Sequence, residues 1–269
     1  MSYSENALSP VLFLPHGGGP MPLFDPKGHE EMISFLTSIP SQLGSPSEIL
    51  LISAHWEETM VSITGAEYPE LNYDYYGFPK EMYDIDYPVK GSPTLAQRVH
   101  TLLEQSNIDS KIDSQRGFDH GMYVPLKIMY PKANIPCVQI SLSKSLDPAQ
   151  HIKIGQALRS LRQDNILIIG SGFSFHNLKV FMSKQVGEID EQNEAFEQWL
   201  INTCSSADVS AEDREKQLIQ WEKAPAARYC HPREEHLLPL HVCAGLAGTK
   251  AKLVFEGKIL GKKASAFLW

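Results

Sequence analysis

Three short runs, VLFLP at 11–15, EILLISA at 48–54 and ILIIG at 166–170, are apolar without alternation. A strand of that kind has to be covered on both faces, which is the condition of a parallel sheet between helices. Longer amphipathic segments separate the runs, so the chain reads as an α/β fold built from βαβ units around a mostly parallel central sheet. Strands are expected at about Val11–Leu14, Glu48–Ser53, Val61–Thr64, Ile135–Ser141, Ile166–Ile169 and Ala251–Phe255. Asp25-Pro26 reads as the opening of a helix carrying Met32, Ile33 and Phe35 and ending near Pro40, and Ser92-Pro93 opens another. Further helices are expected after Asp147-Pro148, through Asp190–Thr203 and after Pro232. No repeat, low-complexity tract or linker divides the sequence, so residues 1–269 are expected to form one domain.

Composition narrows the function. Hydrophobic residues make up 42% of the chain, ordinary for a globular protein, and the formal charge of −8 comes with scattered Lys and Arg. That distribution offers no footprint for nucleic acid. No stretch approaches the roughly 18 to 20 apolar residues needed to cross a bilayer, and MSYSENALSP lacks the features of a secretory leader, so a cytoplasmic protein is expected. The four cysteines form no C-x-x-C pair and read as reduced structural thiols.

The histidines carry the chemistry. His16 follows the first run, His55 the second, and His176 lies a few residues past the third. Strand carboxyl ends share one edge of a parallel sheet, where ligands bind, so three histidines distant in sequence are expected to meet in one crevice. Imidazole offers one lone pair near neutral pH and keeps its other N–H for an orienting acceptor, which suits a transition metal. Gly17-Gly18-Gly19 and Gly170-Ser171-Gly172 let the backbone approach closely there, while neither G-x-G-x-x-G nor a phosphate-loop lysine is present. His120 sits in the glycine-flanked RGFDHG. In CHPREEHLLPLH a continuous helix would set histidines five residues apart about 500° apart, off any single face. His231, ahead of the expected helix start, is then the member free to reach the crevice, with His236 and His241 supporting it or in the core. The stretch from Ala66 to Val89 holds seven aromatic residues and three prolines, either a wall over an aromatic ligand or a surface loop pinned by its own rings.

Taken together, LPHGGGP, ISAHWE, RGFDHGMYVPL, IIGSGFSFHNL and HPREEHLLPLH resemble, in order and over nearly the whole chain, the DOPA 4,5-dioxygenase type of class III extradiol ring-cleaving dioxygenase. The resemblance implies one α/β domain, a mononuclear metal at the carboxyl edge of the strands, and opening of a catechol ring by O2. It makes His16, His55 and His231 metal ligands. It gives His176 the acid/base role, with entry into the metal shell in zinc-loaded members, and lets His120 hydrogen-bond the substrate or oxygen. Fe(II) is implied for activity; where the wider class completes its site with a carboxylate, HPREEH offers a histidine, and all-nitrogen ligation also suits Zn(II). Two competing readings use the same crevice: a zinc hydrolase with Glu57, Glu234 or Glu235 as base, and a non-catalytic binding relative, against which the presence of all five histidines argues. Nothing in the sequence fixes the substituent on the catechol, Arg116 and Arg233 being the nearest candidates for a carboxylate clamp.

Overall fold

The computed structural model describes residues 8–182 and 190–269; most of MSYSENALSP, read above for a leader, lies outside them. Its strands are β1 (Val11–Pro15), β2 (Glu48–Glu58), β3 (Val61–Thr64), β4 (Ser110–Asp113), β5 (Cys137–Ser143), β6 (Ile166–Gly172), β7 (Lys252–Ile259) and β8 (Lys262–Leu268). They form one sheet in the order β4-β3-β5-β2-β6-β1-β8-β7. The central β5, β2, β6 and β1 pair in parallel and β3 pairs in parallel with β4, whereas the β3–β5, β1–β8 and β7–β8 contacts are antiparallel. The sheet is therefore mixed around a parallel centre. The non-alternating runs are the reason: every residue of β1 and β6 is buried, so both faces need cover.

The helices are α1 (Met21–Phe24), α2 (Glu30–Ser38), α3 (Pro93–Gln105), α4 (His120–Met129), α5 (Pro148–Ala157), α6 (Leu178–Phe181), α7 (Glu191–Ser205), α8 (Ala211–Ile219), α9 (Ala227–Cys230) and α10 (Leu238–Ala247). Three expected starts are capped as the sequence suggests: Ser92 Oγ accepts the Leu95 N–H at 3.2 Å, Asp147 Oδ1 that of Ala149 at 2.9 Å, and Asp190 Oδ1 that of Asn193 at 3.1 Å. Asp25-Pro26 does not open a helix. Its carboxylate accepts the Lys27 N–H and the His29 N–H donates to Pro26 O, so the pair forms a turn and α2 starts at Glu30. Two strands are not expected from the sequence: β4, only four residues long, and β8, whose Lys262 and Lys263 obscure its apolar remainder.

Consecutive residues of β6 show how the two faces are covered. Gly170 and Gly172 face the α10 side, where an added Cβ would lie 2.7 Å from Pro239 O and 2.1 Å from His236 O. Ser171, between them, faces the other way and its hydroxyl donates to Gly121 O in α4 at 2.5 Å. On the first side α5 crosses α10 at two glycines, since a Cβ on Gly155 or Gly245 would lie 2.1 Å from the facing carbonyl of Val242 or Ile152. All four cysteines are buried and free. Among the described residues, no helix is long and apolar enough to cross a membrane.

Candidate metal centre

His16 stands immediately beyond β1, its N–H bonded to Gly172 O at the end of β6. The triple glycine then turns the chain. Gly17 adopts φ +84°, and a Cβ there would lie 2.7 Å from Pro22 Cγ and 2.9 Å from Met32 Cε. His29 pins the loop by accepting the Gly18 N–H at 3.1 Å on Nε2. His55 lies inside β2 rather than after it, in a stretch where the pairing with β5 shifts register between Ile52 and Glu57. Such an irregularity re-aims side chains. Ser53 Oγ accepts the His55 N–H at 3.1 Å and donates to Asp119 Oδ1 at 2.8 Å, fixing the bend.

Hydrogen bonds decide which ring nitrogen carries the proton in His16, His236 and His120. Ser171 gives its hydroxyl proton to Gly121 O, so at 3.0 Å it can only accept from His16 Nδ1–H. His16 Nε2 is left as a bare lone pair, 3.0 Å from His55 Nε2. His236 Nδ1 donates to Glu235 Oε1 at 2.9 Å, and the same oxygen lies 3.1 Å from His176 Nδ1. His120 Nδ1 donates to Asp74 Oδ1 at 2.9 Å. Ligand atoms of His16, His55 and His236 lie within 4.8 Å of one another. The His120 ring lies 3.9 Å from that of His55, and His176 stacks on His236 at 3.4 Å, both between centroids.

One expected ligand lies away from the cluster. His231 bonds Ser174 O through Nε2 at 2.7 Å, and its ring is buried between Phe196 and Trp221, away from the cluster. His236 stands where His231 was expected. The expectation rested on a helix through this segment, but α9 ends at Cys230 and α10 begins only at Leu238, with irregular backbone between them. His236 O approaches β6 where Gly172 has no side chain and accepts the Phe173 N–H at 2.9 Å. His241 is core: its ring bonds the carbonyls of Leu237 and Leu218.

The cluster floors a cleft of 590 Å³. Tyr75, Tyr76 and Phe78 from the aromatic stretch wall one side, and Phe173 and Phe181 also line it. The stretch is wall and pinned loop at once, because the Tyr73 hydroxyl donates to Ile85 O at 2.8 Å and that of Tyr75 to Met82 O. At the mouth Arg233 grips both oxygens of Glu57, at 2.6 and 2.5 Å, while Arg116 sits on Asp119 and over the Trp56 ring, a structural post outside the cleft.

Residues 10–264 match the family model described as the catalytic LigB subunit of aromatic ring-opening dioxygenase. The chain belongs to this family. A relative from Hapsidospora irregularis named dioxygenase tasH is 39% identical over 97% of this chain and 86% of its own. The 4,5-DOPA dioxygenase extradiol of Beta vulgaris is 36% identical over 93% and 91%. A crystal structure of an uncharacterised protein from Escherichia coli K12 superposes with a TM-score of 0.77 at 28% identity, covering 97% of this chain and 99% of the other. The protein is thus an extradiol aromatic ring-opening dioxygenase, and enzymes of this family depend on a metal.

The donor set of this LigB dioxygenase fits a metal cation. Burial, reinforced by the neighbouring imidazoles, holds His16, His55 and His236 well below the usual histidine range, so all three are neutral with lone pairs available. Converging neutral imidazole nitrogens in a buried site are donors suited to a transition-metal cation. Beneath them burial pushes Asp74 and Glu235 up, but hydrogen bonds and charge from His120 and His176 outweigh it, and both carboxyls end below their ordinary range. Asp74 is a cleft residue beside the cluster that sequence reasoning missed; its one signal was an acid set among tyrosines in NYDYYGF.

Proposed function

We propose that this LigB enzyme opens a catechol ring beside its diol with O2, on Fe(II) held by His16, His55 and His236. The observation that carries the reading is the approach of His16 Nε2 to His55 Nε2 at 3.0 Å on the floor of an aromatic-walled cleft, with His236 beside them. Fe(II) supplies the redox partner that triplet O2 needs to react with a closed-shell catechol. Zn(II) also suits an all-imidazole site and is a metal the purified protein is expected to carry.

The protein's own groups do the remainder. His176, with Nδ1–H turned to Glu235, has Nε2 available to take a phenolic proton and return it to the opened product. His120 hydrogen-bonds the substrate or oxygen. Tyr75 and Phe78 offer ring faces for the catechol and keep water from it. A DOPA-like catechol is the substrate suggested by the names of several relatives, and a cytoplasmic setting suits the reduced thiols. Each candidate base of the hydrolase reading already has partners: Glu57 is gripped by Arg233 through both oxygens, Glu234 pairs with Arg228, and Glu235 accepts from His236 and faces His176. The test is anaerobic Fe(II) loading followed by a panel of catechols under ¹⁸O2. We expect a yellow product carrying both labelled atoms; no oxygen uptake with any catechol overturns the reading.

A further inference from the structure

Asp74 belongs to the aromatic stretch, yet its side chain reaches across the cleft to the N-terminus of α4. Its Oδ1 accepts both the backbone N–H of His120, at 3.0 Å, and the ring Nδ1–H, at 2.9 Å. Its Oδ2 lies 3.7 Å from His55 Nδ1. The residue at the N-cap position, Asp119, does not cap α4 with its side chain; its carboxylate is committed to Ser53, Gln139 and Arg116. The cap is supplied in trans by Asp74, and the acceptor that caps the helix also sets the imidazole.

We propose that Asp74 is the positioning residue of this active site: it locks His120 as the Nδ1–H tautomer and couples the aromatic wall to the direction of that ring. No other protein group among the described residues bonds a ring nitrogen of His120, so without Asp74 nothing selects between the tautomers. With Asp74 in place, Nε2 is the nitrogen left to meet a bound molecule. The wall residues Tyr75 and Phe78 follow Asp74 within four positions, so displacement of the loop carries the acceptor away with the wall.

The inference rests on the reading that His120 meets substrate, but its first test is independent of turnover. In Zn(II)-loaded, ¹⁵N-histidine-labelled protein, with His120 assigned by comparison with His120→Ala, long-range proton–nitrogen correlation is expected to show His120 protonated at Nδ1 alone. An Nε2–H tautomer in the wild type overturns the proposal, whether or not any Asp74 variant folds. Asp74→Asn keeps an acceptor oxygen and is expected to retain the tautomer and most of kcat/KM. Asp74→Ala is expected to mix the tautomers and lower kcat/KM by about 10–100-fold, the usual cost of removing an orienting partner. In a His120→Ala background, Asp74→Ala should cost nothing further; a multiplicative loss in the double variant overturns the coupling. Failure on every catechol would defeat the function proposed above while leaving the tautomer result to stand or fall by itself.

Discussion

His176 and His236 lie ring on ring, 3.4 Å between centroids and 19° from parallel, and one oxygen of Glu235 faces the Nδ1 of both. A single acceptor thus fixes the proposed metal ligand and the proposed proton carrier together. Glu235→Gln retains one carbonyl oxygen but loses the charge that steadies both imidazoles. We expect the metal to be held more weakly and activity to fall about 10–100-fold. Metal titration and steady-state kinetics on the one variant check this.

The two histidines of HPREEH should separate cleanly by substitution. His236→Ala is expected to abolish stoichiometric metal retention with a modest change in thermal stability. His231→Ala should keep the metal while costing about 1–3 kcal/mol, because it leaves Ser174 O unpaired among buried rings. Metal analysis and thermal unfolding of the two proteins decide the assignment, and metal loss in His231→Ala alone would reverse it.

Gly172→Ala tests the route by which His236 reaches the site. The new methyl would stand 2.1 Å from His236 O, so the connection before α10 has to move. Overpacking of this kind costs about 1–3 kcal/mol. The expected signature is a lowered melting temperature with metal occupancy falling in parallel.

Acid should destabilise the fold. Burial holds His151 down to about 4 and His231 down to about 3, whereas unfolded histidines titrate near 6.5. As pH falls below 6.5 the unfolded chain binds protons that the fold refuses, so each site removes about 1.4 kcal/mol per pH unit until its folded pKa is reached. Glu197, raised by burial to about 7, acts oppositely: its contribution is complete below 4.5 and fades as pH rises to about 7. Two histidines outweigh one carboxyl, so stability should drop from pH 6.5 to 4.5, and Glu197→Gln should steepen the drop. Denaturant unfolding at a series of pH values measures both slopes.

The covered sheet and the meeting of His16 with His55 follow from the sequence alone. Runs such as VLFLP and EILLISA can be strands only if buried on both faces, and a histidine at or just past the end of such a run lies at the binding edge wherever the sheet is parallel. That reasoning brought His16 and His55 together from positions 39 residues apart. It pointed to His231 where the fold brings His236, because the backbone from 231 to 237 is irregular and irregular backbone has no period from which direction can be read. Nor could it find Asp74, which faces His120 only because the aromatic stretch folds back over α4. Tertiary structure decided these points: a glycine in β6 admits the His236 main chain, and a carboxylate brought 46 positions along the sequence sets the His120 ring. Periodicity reports which face of a regular element is buried, whereas the partner of a side chain on an irregular segment is fixed by what the rest of the fold leaves open beside it.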